Sequence, residues 1–363
     1  KIKNKVKQLD DLKNYFLSSN FNFNKGPKLK ILHISQFDDR NDYRLFNISI
    51  SSKLSKGFIR NGHDVINFSY RNFLNKNVLK DRNETINQKV LDISSNYKPD
   101  LVILGHNNFL YQQNIELLKS KYNSKICLWY EDALGKRGDG PQWKENLELI
   151  EKNNQYIDTY FTTTHPDEIY TPIKKSKLNH LPIPVDENIE NLKLYENKIN
   201  YKDLFFALSH GVNFGKLKKG KYDEREEFIQ KLMIKYPNIN YNILGIADEV
   251  PKWNYNYYNE LNKCKIALNL SRGKPIKLTS SNRIASLIGN GIYTFIDSGT
   301  QYNSIFNENE VGSYNSINDL GNKIEHLLSN PEKIRKYAKK GREKYFKLFN
   351  NKIISEDIIK KTF

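Results

Sequence analysis

The residues best suited to chemistry lie between Cys264 and Asp297, in CKIALNLSRGKPIKLTSSNRIASLIGNGIYTFID. Arg272, Lys274 and Lys277 supply cations, Thr279, Ser280 and Ser281 supply hydroxyls, and Asn282 and Arg283 follow at once. A loop that leaves a strand and runs into a helix N-terminus favours a phosphorylated ligand, because backbone N–H groups and a guanidinium can share the phosphate oxygens. An ordinary N-cap followed by a surface arginine is the competing reading of Ser281, Asn282 and Arg283. Gly211, Asn213 and Gly215 form a second candidate cradle, where glycine lets the backbone come close to a phosphate; a plain turn is the alternative there. For acid–base work the candidates are Asp132 and His106, each at the end of an apolar run, KICLWYED and LVILGH. Either group can take a proton from a hydroxyl. A helix-cap carboxylate and a structural imidazole are the rival readings. Glu131 precedes Asp132, and in extended backbone the two would face opposite ways. Asp38, Asp39, Asp42 and Arg44 crowd the loop after the first apolar run. No His, Cys or carboxylate cluster has metal-ligand spacing, so no metal site is expected.

These residues need elements to hold them. KIALNLS and GIYTFID are short apolar runs of buried-strand type, and the Gly289-Asn290-Gly291 stop ends the helix between them. The same strand, loop, helix, strand order recurs upstream. LKILHIS (29–35), HDVINFSY (63–70), LVILGH (101–106), KICLWY (125–130), TYFTTT (159–164) and NHLPIPVD (179–186) read as strands of one sheet, with helices between them. DLFFALSH (203–210), NYNILGI (240–246), KIALNLS and GIYTFID read as strands of another. Asn330-Pro331-Glu332 is an N-cap, N1 proline and acidic first turn for a late helix. The expected organisation is a helical extension over 1–27, an α/β domain over 28–186, a charged linker over 187–201, an α/β domain over 202–344 and terminal helices over 345–363. Two such units imply a cleft, and ligands favour the carboxyl ends of strands. The G-x-G-x-x-G of a classical dinucleotide site does not follow the first strand.

Composition narrows the function class. At 363 residues the chain is too long for one ordinary core. The net charge of +17 suits an anionic partner, yet no nucleic-acid motif appears and the basic residues are spread along the chain. The abundance of Lys, Asn, Ile, Tyr and Phe also fits simple compositional bias. No run approaches the ~18 apolar residues of a membrane span, and KIKNKVKQLDDLKNYF lacks the apolar core of a secretory signal. A cytoplasmic protein is expected. Contact of its lysine-rich first helix with an anionic membrane surface is the sharper reading, and packing on its own domain the plainer one.

The element order and several segments resemble a family, the GT-B glycosyltransferases, and within it the group with spore-maturation CgeB-like members and a group-1-like C-terminal domain. The likeness is strongest over about 203–350, in NRIASLIGNGIYTFID and IFNENEVGSYNSINDLGNKIEHLLSNPEKIRKYAKKGREK, and is supported by GFIRNGHDV, KPDLVILGH and CLWYEDA. The resemblance implies two facing Rossmann-like domains, the first receiving the acceptor and the second holding a nucleotide-sugar donor. It implies transfer of a sugar to a hydroxyl of a glycan, lipid-linked glycan or protein, with no cofactor beyond the nucleotide-sugar co-substrate and no metal. It implies too that the terminal helix returns to the first domain. Gly211, Asn213, Gly215, Arg272, Lys277, Ser281, Asn282 and Arg283 then become donor contacts, and Asp132 or His106 the base. The acidic residue that usually meets the donor ribose in this family falls at Ser286, which counts as a further donor contact able to make one hydrogen bond but cannot accept from both ribose hydroxyls at once. That departure keeps a second reading open, a non-catalytic module binding nucleotide or glycan.

Overall fold

The computed structural model describes residues 27–37, 49–74, 82–106, 109–136, 142–198, 200–208, 224–246 and 249–363. The expected helix over 1–27, the Asp38–Arg44 cluster and the loop with Gly211, Asn213 and Gly215 lie outside them. The chain divides into two compact units. One runs to Pro184 and takes in Phe349–Phe363; the other is Val185–Leu348.

In the first unit the elements are β1 (Lys30–Ser35), α1 (Ile50–Arg60), β2 (Asp64–Ser69), α2 (Arg71–Leu74), α3 (Arg82–Tyr97), β3 (Leu101–Gly105), α4 (Gln112–Tyr122), β4 (Lys125–Tyr130), α5 (Gln142–Glu151), β5 (Thr159–Thr162) and β6 (Leu178–His180). The strands form one parallel sheet in the order β2-β1-β3-β4-β5-β6. A parallel sheet is covered on both faces, which is why β3 and β4 read as nearly unbroken apolar runs. Leu32, Val102, Leu104, Ile126 and Leu128 meet Ile86 and Val90 of α3 and Ile115 and Leu118 of α4. The last helix of the chain, α11 (Asn351–Thr362), belongs to this unit and lies along α1. Asn351 Nδ2 donates to Lys53 O (3.0 Å), Ser355 Oγ to Leu54 O (3.0 Å) and Asn61 Nδ2 to Lys352 O (2.9 Å). The approach is close enough that a Cβ at Gly57 would sit 2.2 Å from both Asn351 O and Ser355 Oγ.

The second unit holds β7 (Lys202–Ala207), α6 (Glu224–Lys235), β8 (Tyr241–Leu244), α7 (Asn254–Leu261), β9 (Cys264–Asn269), α8 (Arg283–Gly289), β10 (Tyr293–Asp297), β11 (Gly312–Tyr314), α9 (Ile317–Leu328) and α10 (Pro331–Phe349). Its parallel sheet runs β11-β10-β9-β7-β8. Phe206 and Leu268 pack against Ile229 of α6, Leu320 of α9 and Ile334 of α10. On the other face Phe205 and Ala267 pack against Leu261 of α7 and Leu287 of α8.

Two sequence expectations differ from the structure here. The strand read over 179–186 is only Leu178–His180, because Pro182 and Pro184 have no N–H to give a ladder. The stretch 187–201, read as a linker, is docked on the second unit. Ile189 and Leu194 are buried, and Leu192 N and Leu194 N donate to the side chain and backbone oxygens of Asn290 (3.2 and 2.8 Å). Arg342 adds bonds to Gly289 O (2.8 Å) and Glu190 O (3.1 Å). Among the described residues no helix is long and apolar enough to cross a membrane. Cys127 and Cys264 are buried free thiols, and burial raises both thiol pKa values, that of Cys264 to about 12.

Candidate functional site

Each sheet has a point where its connections part, and open α/β sheets bind ligands in the crevice that such a parting leaves at the strand carboxyl ends. In the second unit the parting falls between β7, which leads outward to β8, and β9, which leads the other way to β10. The loop 270–282 leaves the carboxyl end of β9 at this crevice. Inside that loop Asn269 Nδ2 donates to Ser280 Oγ (2.8 Å), and Thr279 and Ser280 are buried. The Glu224 carboxylate at the start of α6 accepts from Gly273 N. Gly273 takes the left-handed conformation that glycine allows (φ +71°). The loop is therefore pinned from below while Arg272 and Ser281 are exposed and Lys277 is half-buried.

Arg283 reaches over the sheet edge. Its Nη1 donates to Leu270 O (2.9 Å), and its guanidinium carbon stands 5.0 Å above the centre of the Phe206 ring. One side chain thus spans the carboxyl ends of β7 and β9. Asn282 starts α8 in a helical conformation with no side-chain cap bond. Ser286 is fully buried, and its hydroxyl lies beside the phenols of Tyr257 and Tyr258, whose pKa values burial raises. The structure therefore places Ser286 in the packing between α7 and α8, apart from the exposed loop.

In the first unit the parting lies between β1 and β3, and His106 is the first residue past β3. It adopts a left-handed conformation (φ +57°), and its N–H donates to Trp129 O (2.9 Å). Its ring stacks on Tyr130 (centroids 4.9 Å, 28°) and, more offset, on Trp129 (6.2 Å, 21°). Nε2 is 3.4 Å from Asp132 Oδ2 and 4.0 Å from Glu131 Oε1. So both neighbouring carboxylates serve one imidazole. The expectation that they diverge fails because the strand ends at Tyr130, and alternation does not extend past it. The loop that carries them is held by Thr163 Oγ1 donating to Glu131 O (2.7 Å), by Leu134 N donating to Thr164 Oγ1 (3.1 Å) and by Asn146 Nδ2 donating to Ala133 O (2.9 Å). Asn146 also accepts from the Tyr130 hydroxyl (2.9 Å). Burial, with the two carboxylates adding to it, raises that phenol's pKa. Sequence reading missed the aromatic bed under His106; the WY that precedes ED was its signal. Among the described residues no group of three His, Cys, Asp or Glu could hold a metal ion.

Two parallel sheets of this form, with a terminal helix returned to the first unit, define the GT-B fold. Solved structures agree across the chain. Sucrose-phosphate synthase from Thermosynechococcus elongatus matches with TM-score 0.55 at 14% identity, over 92% of this chain and 98% of that one. Anabaena HepE in complex with UDP and glucose matches with TM-score 0.55 at 12% identity, over 92% and 98%. UDP-GlcNAc 2-epimerase from Neisseria meningitidis bound to UDP-GlcNAc matches with TM-score 0.51 at 12% identity, over 92% and 99%. At these identities the likeness establishes the fold. No curated protein sequence matches the chain. Residues 224–360 match the family model described as "Glycosyl transferase-like". The chain thus has the GT-B fold, and its α6-to-α11 segment is similar to that glycosyltransferase-like family.

Proposed function

We propose that the protein transfers a sugar from a nucleotide-sugar donor to an acceptor hydroxyl of a glycan, lipid-linked glycan or protein. The observation that carries the reading is the His106 imidazole held 3.4 Å from Asp132 at the parting point of the first sheet, in a chain whose second sheet presents a cationic loop at its own. His106 takes the proton of the acceptor hydroxyl, and the acceptor oxygen bonds to the anomeric carbon as the bond to the diphosphate breaks. Asp132 and Glu131 stabilise the imidazolium. Arg272, Lys277 and Arg283, with the Gly211–Gly215 segment, receive the charge of the departing nucleoside diphosphate. Ser286 is left out of the donor contacts because it is buried.

The test is thermal stability against UDP, GDP, ADP, CMP and their sugar conjugates. A ligand at 100 times its Kd stabilises by about 2.7 kcal/mol, enough for a clear shift of Tm. One nucleotide is expected to shift the melt, and its sugar conjugate should then yield free nucleotide and a glycosylated acceptor. A melt that no nucleotide moves would overturn the reading. An epimerised nucleotide sugar as the sole product would replace transfer with epimerisation on the same fold.

A further inference from the structure

We propose that His33, a buried residue that touches no substrate, is a positioning residue that fixes the plane of Trp129 against His106. The inference rests on the role given to His106 above. His33 is fully buried in β1. Trp129 Nε1 donates to its Nε2 (3.0 Å), and its Nδ1 is 2.8 Å from Ser55 Oγ. An indole N–H can only donate, so Nε2 accepts and the ring proton sits on Nδ1, donating to Ser55. Ser55 Oγ in turn donates to Asn67 Oδ1 (2.8 Å). The relay Trp129, His33, Ser55, Asn67 runs in one direction, with the members matched donor to acceptor. It requires a neutral imidazole, since an imidazolium could not accept from Trp129. Burial holds His33 in that state, pushing its pKa down to about 3.

The relay matters because of what lies on the other side of the indole. A Cβ at Gly105 would meet Trp129 Nε1 at 2.6 Å and Ser35 Oγ at 2.3 Å. Trp129 is thus wedged beneath the backbone that carries His106. The His106 ring lies over Trp129 and Tyr130, where aromatic faces favour the cation formed when His106 takes a proton. That interaction grows in the transition state, so disturbing the plane of Trp129 should lower kcat and spare the donor KM.

The experiment uses the full chain with His33→Leu, which removes both bonds, and His33→Gln, whose amide can accept from Trp129 and donate to Ser55. His33→Leu is expected to lower kcat roughly 10- to 100-fold, the scale of a small misplacement at a reacting centre. Its donor KM should stay near that of the parent, and His33→Gln should recover most of kcat. Two folded variants with lowered Tm but parental kcat and an unchanged pH profile would overturn the proposal. If His33→Leu does not fold, Trp129→Phe keeps an aromatic ring at the position while removing the N–H together with part of the indole. It should show the same loss, and a parental kcat there overturns the proposal equally. A readout independent of activity is the ring-proton NMR of His106, which senses the indole ring current. Those resonances should move in the variants that break the relay. If the parent protein transfers no sugar, the proposed function fails by itself, and unmoved His106 resonances would separately refute the positioning.

Discussion

Replacing Asp132 by asparagine separates the two candidate bases. At 3.4 Å between Nε2 and Oδ2, a carboxylate and an imidazolium attract by about 1 kcal/mol in a water-like dielectric and about 5 kcal/mol at an effective constant near 20. The Asp132 side chain is 52% exposed, so the water-side figure governs. About 1 to 1.4 kcal/mol is roughly a 5- to 10-fold loss of kcat. Glu131, at 4.0 Å and 22% exposed, remains in the single variant and limits the damage. Removing the imidazole itself by His106→Ala takes away the proton acceptor, worth roughly 10²- to 10⁴-fold. The assay is the initial rate of nucleoside diphosphate release at saturating donor, with acceptor present and absent, and a thermal melt to confirm folding. The expected ranking is His106→Ala well below the Asp132→Asn, Glu131→Gln double variant, and that double variant below either carboxylate single. An Asp132→Asn loss as large as that of His106→Ala would make the carboxylate the base. A double carboxylate variant with parental kcat would show that no positive charge builds on His106 at all.

Three more outcomes follow from the geometry. His33 is neutral in the native chain down to about pH 3 and titrates at 6.5 when unfolded, so acid favours the unfolded chain. Stability should fall as pH drops below 6.5, by about 2 kcal/mol at pH 5 from this group alone, and urea unfolding of His33→Gln should lack that part of the slope. An equal slope in both proteins would refute the assignment. Gly57→Val should lower stability by about 1–3 kcal/mol through overpacking against the Asn351 backbone. Gly62→Ala, which meets only Lys28 Cε at 3.9 Å, should carry the strain of its φ of +89° and no such clash; equal urea midpoints for the two would contradict the close approach. Arg283→Ala should weaken nucleotide binding at least about tenfold, about 1.4 kcal/mol, in a calorimetric titration. Unchanged affinity would remove Arg283 from the donor site.

The sequence exposed the elements whose burial is two-sided. KIALNLS and GIYTFID could hardly be anything but covered strands, and the Gly289–Gly291 stop bounded α8 because a helix must end where glycine is cheapest. β11 was missed since Gly312–Tyr314 is three residues with no apolar run. The docking of 187–198 was missed because its anchors are backbone N–H groups on Asn290, which leave no pattern in residue types. Within the site, Asp132 and His106 were recognisable singly as strand-end residues. Their meeting depends on β3 and β4 being neighbours in register, with Gly105 opposite Trp129. Ser286 was placed by register alone, and register says which residue stands at a position without saying which way the helix turns it. The inward reach of Arg283 to Leu270 O was equally invisible, because an arginine after a cap looks the same whether it faces water or the sheet.

The return of α11 to α1 has a consequence for how the protein is made. The first unit is discontinuous in the chain, since its last helix is encoded after the whole of Val185–Leu348. At about 5–20 residues per second, a ribosome needs roughly 8 to 30 s to pass through that intervening stretch. During this interval the first sheet has emerged while the face of α1 that meets α11 at Lys53, Leu54 and Gly57 has no helix to cover it. The nascent first unit is therefore a partly open structure for as long as its neighbour is being synthesised, and a natural client for chaperones that hold exposed apolar surface. A stop codon just after Leu348 would spare the neighbouring unit and damage the one synthesised first.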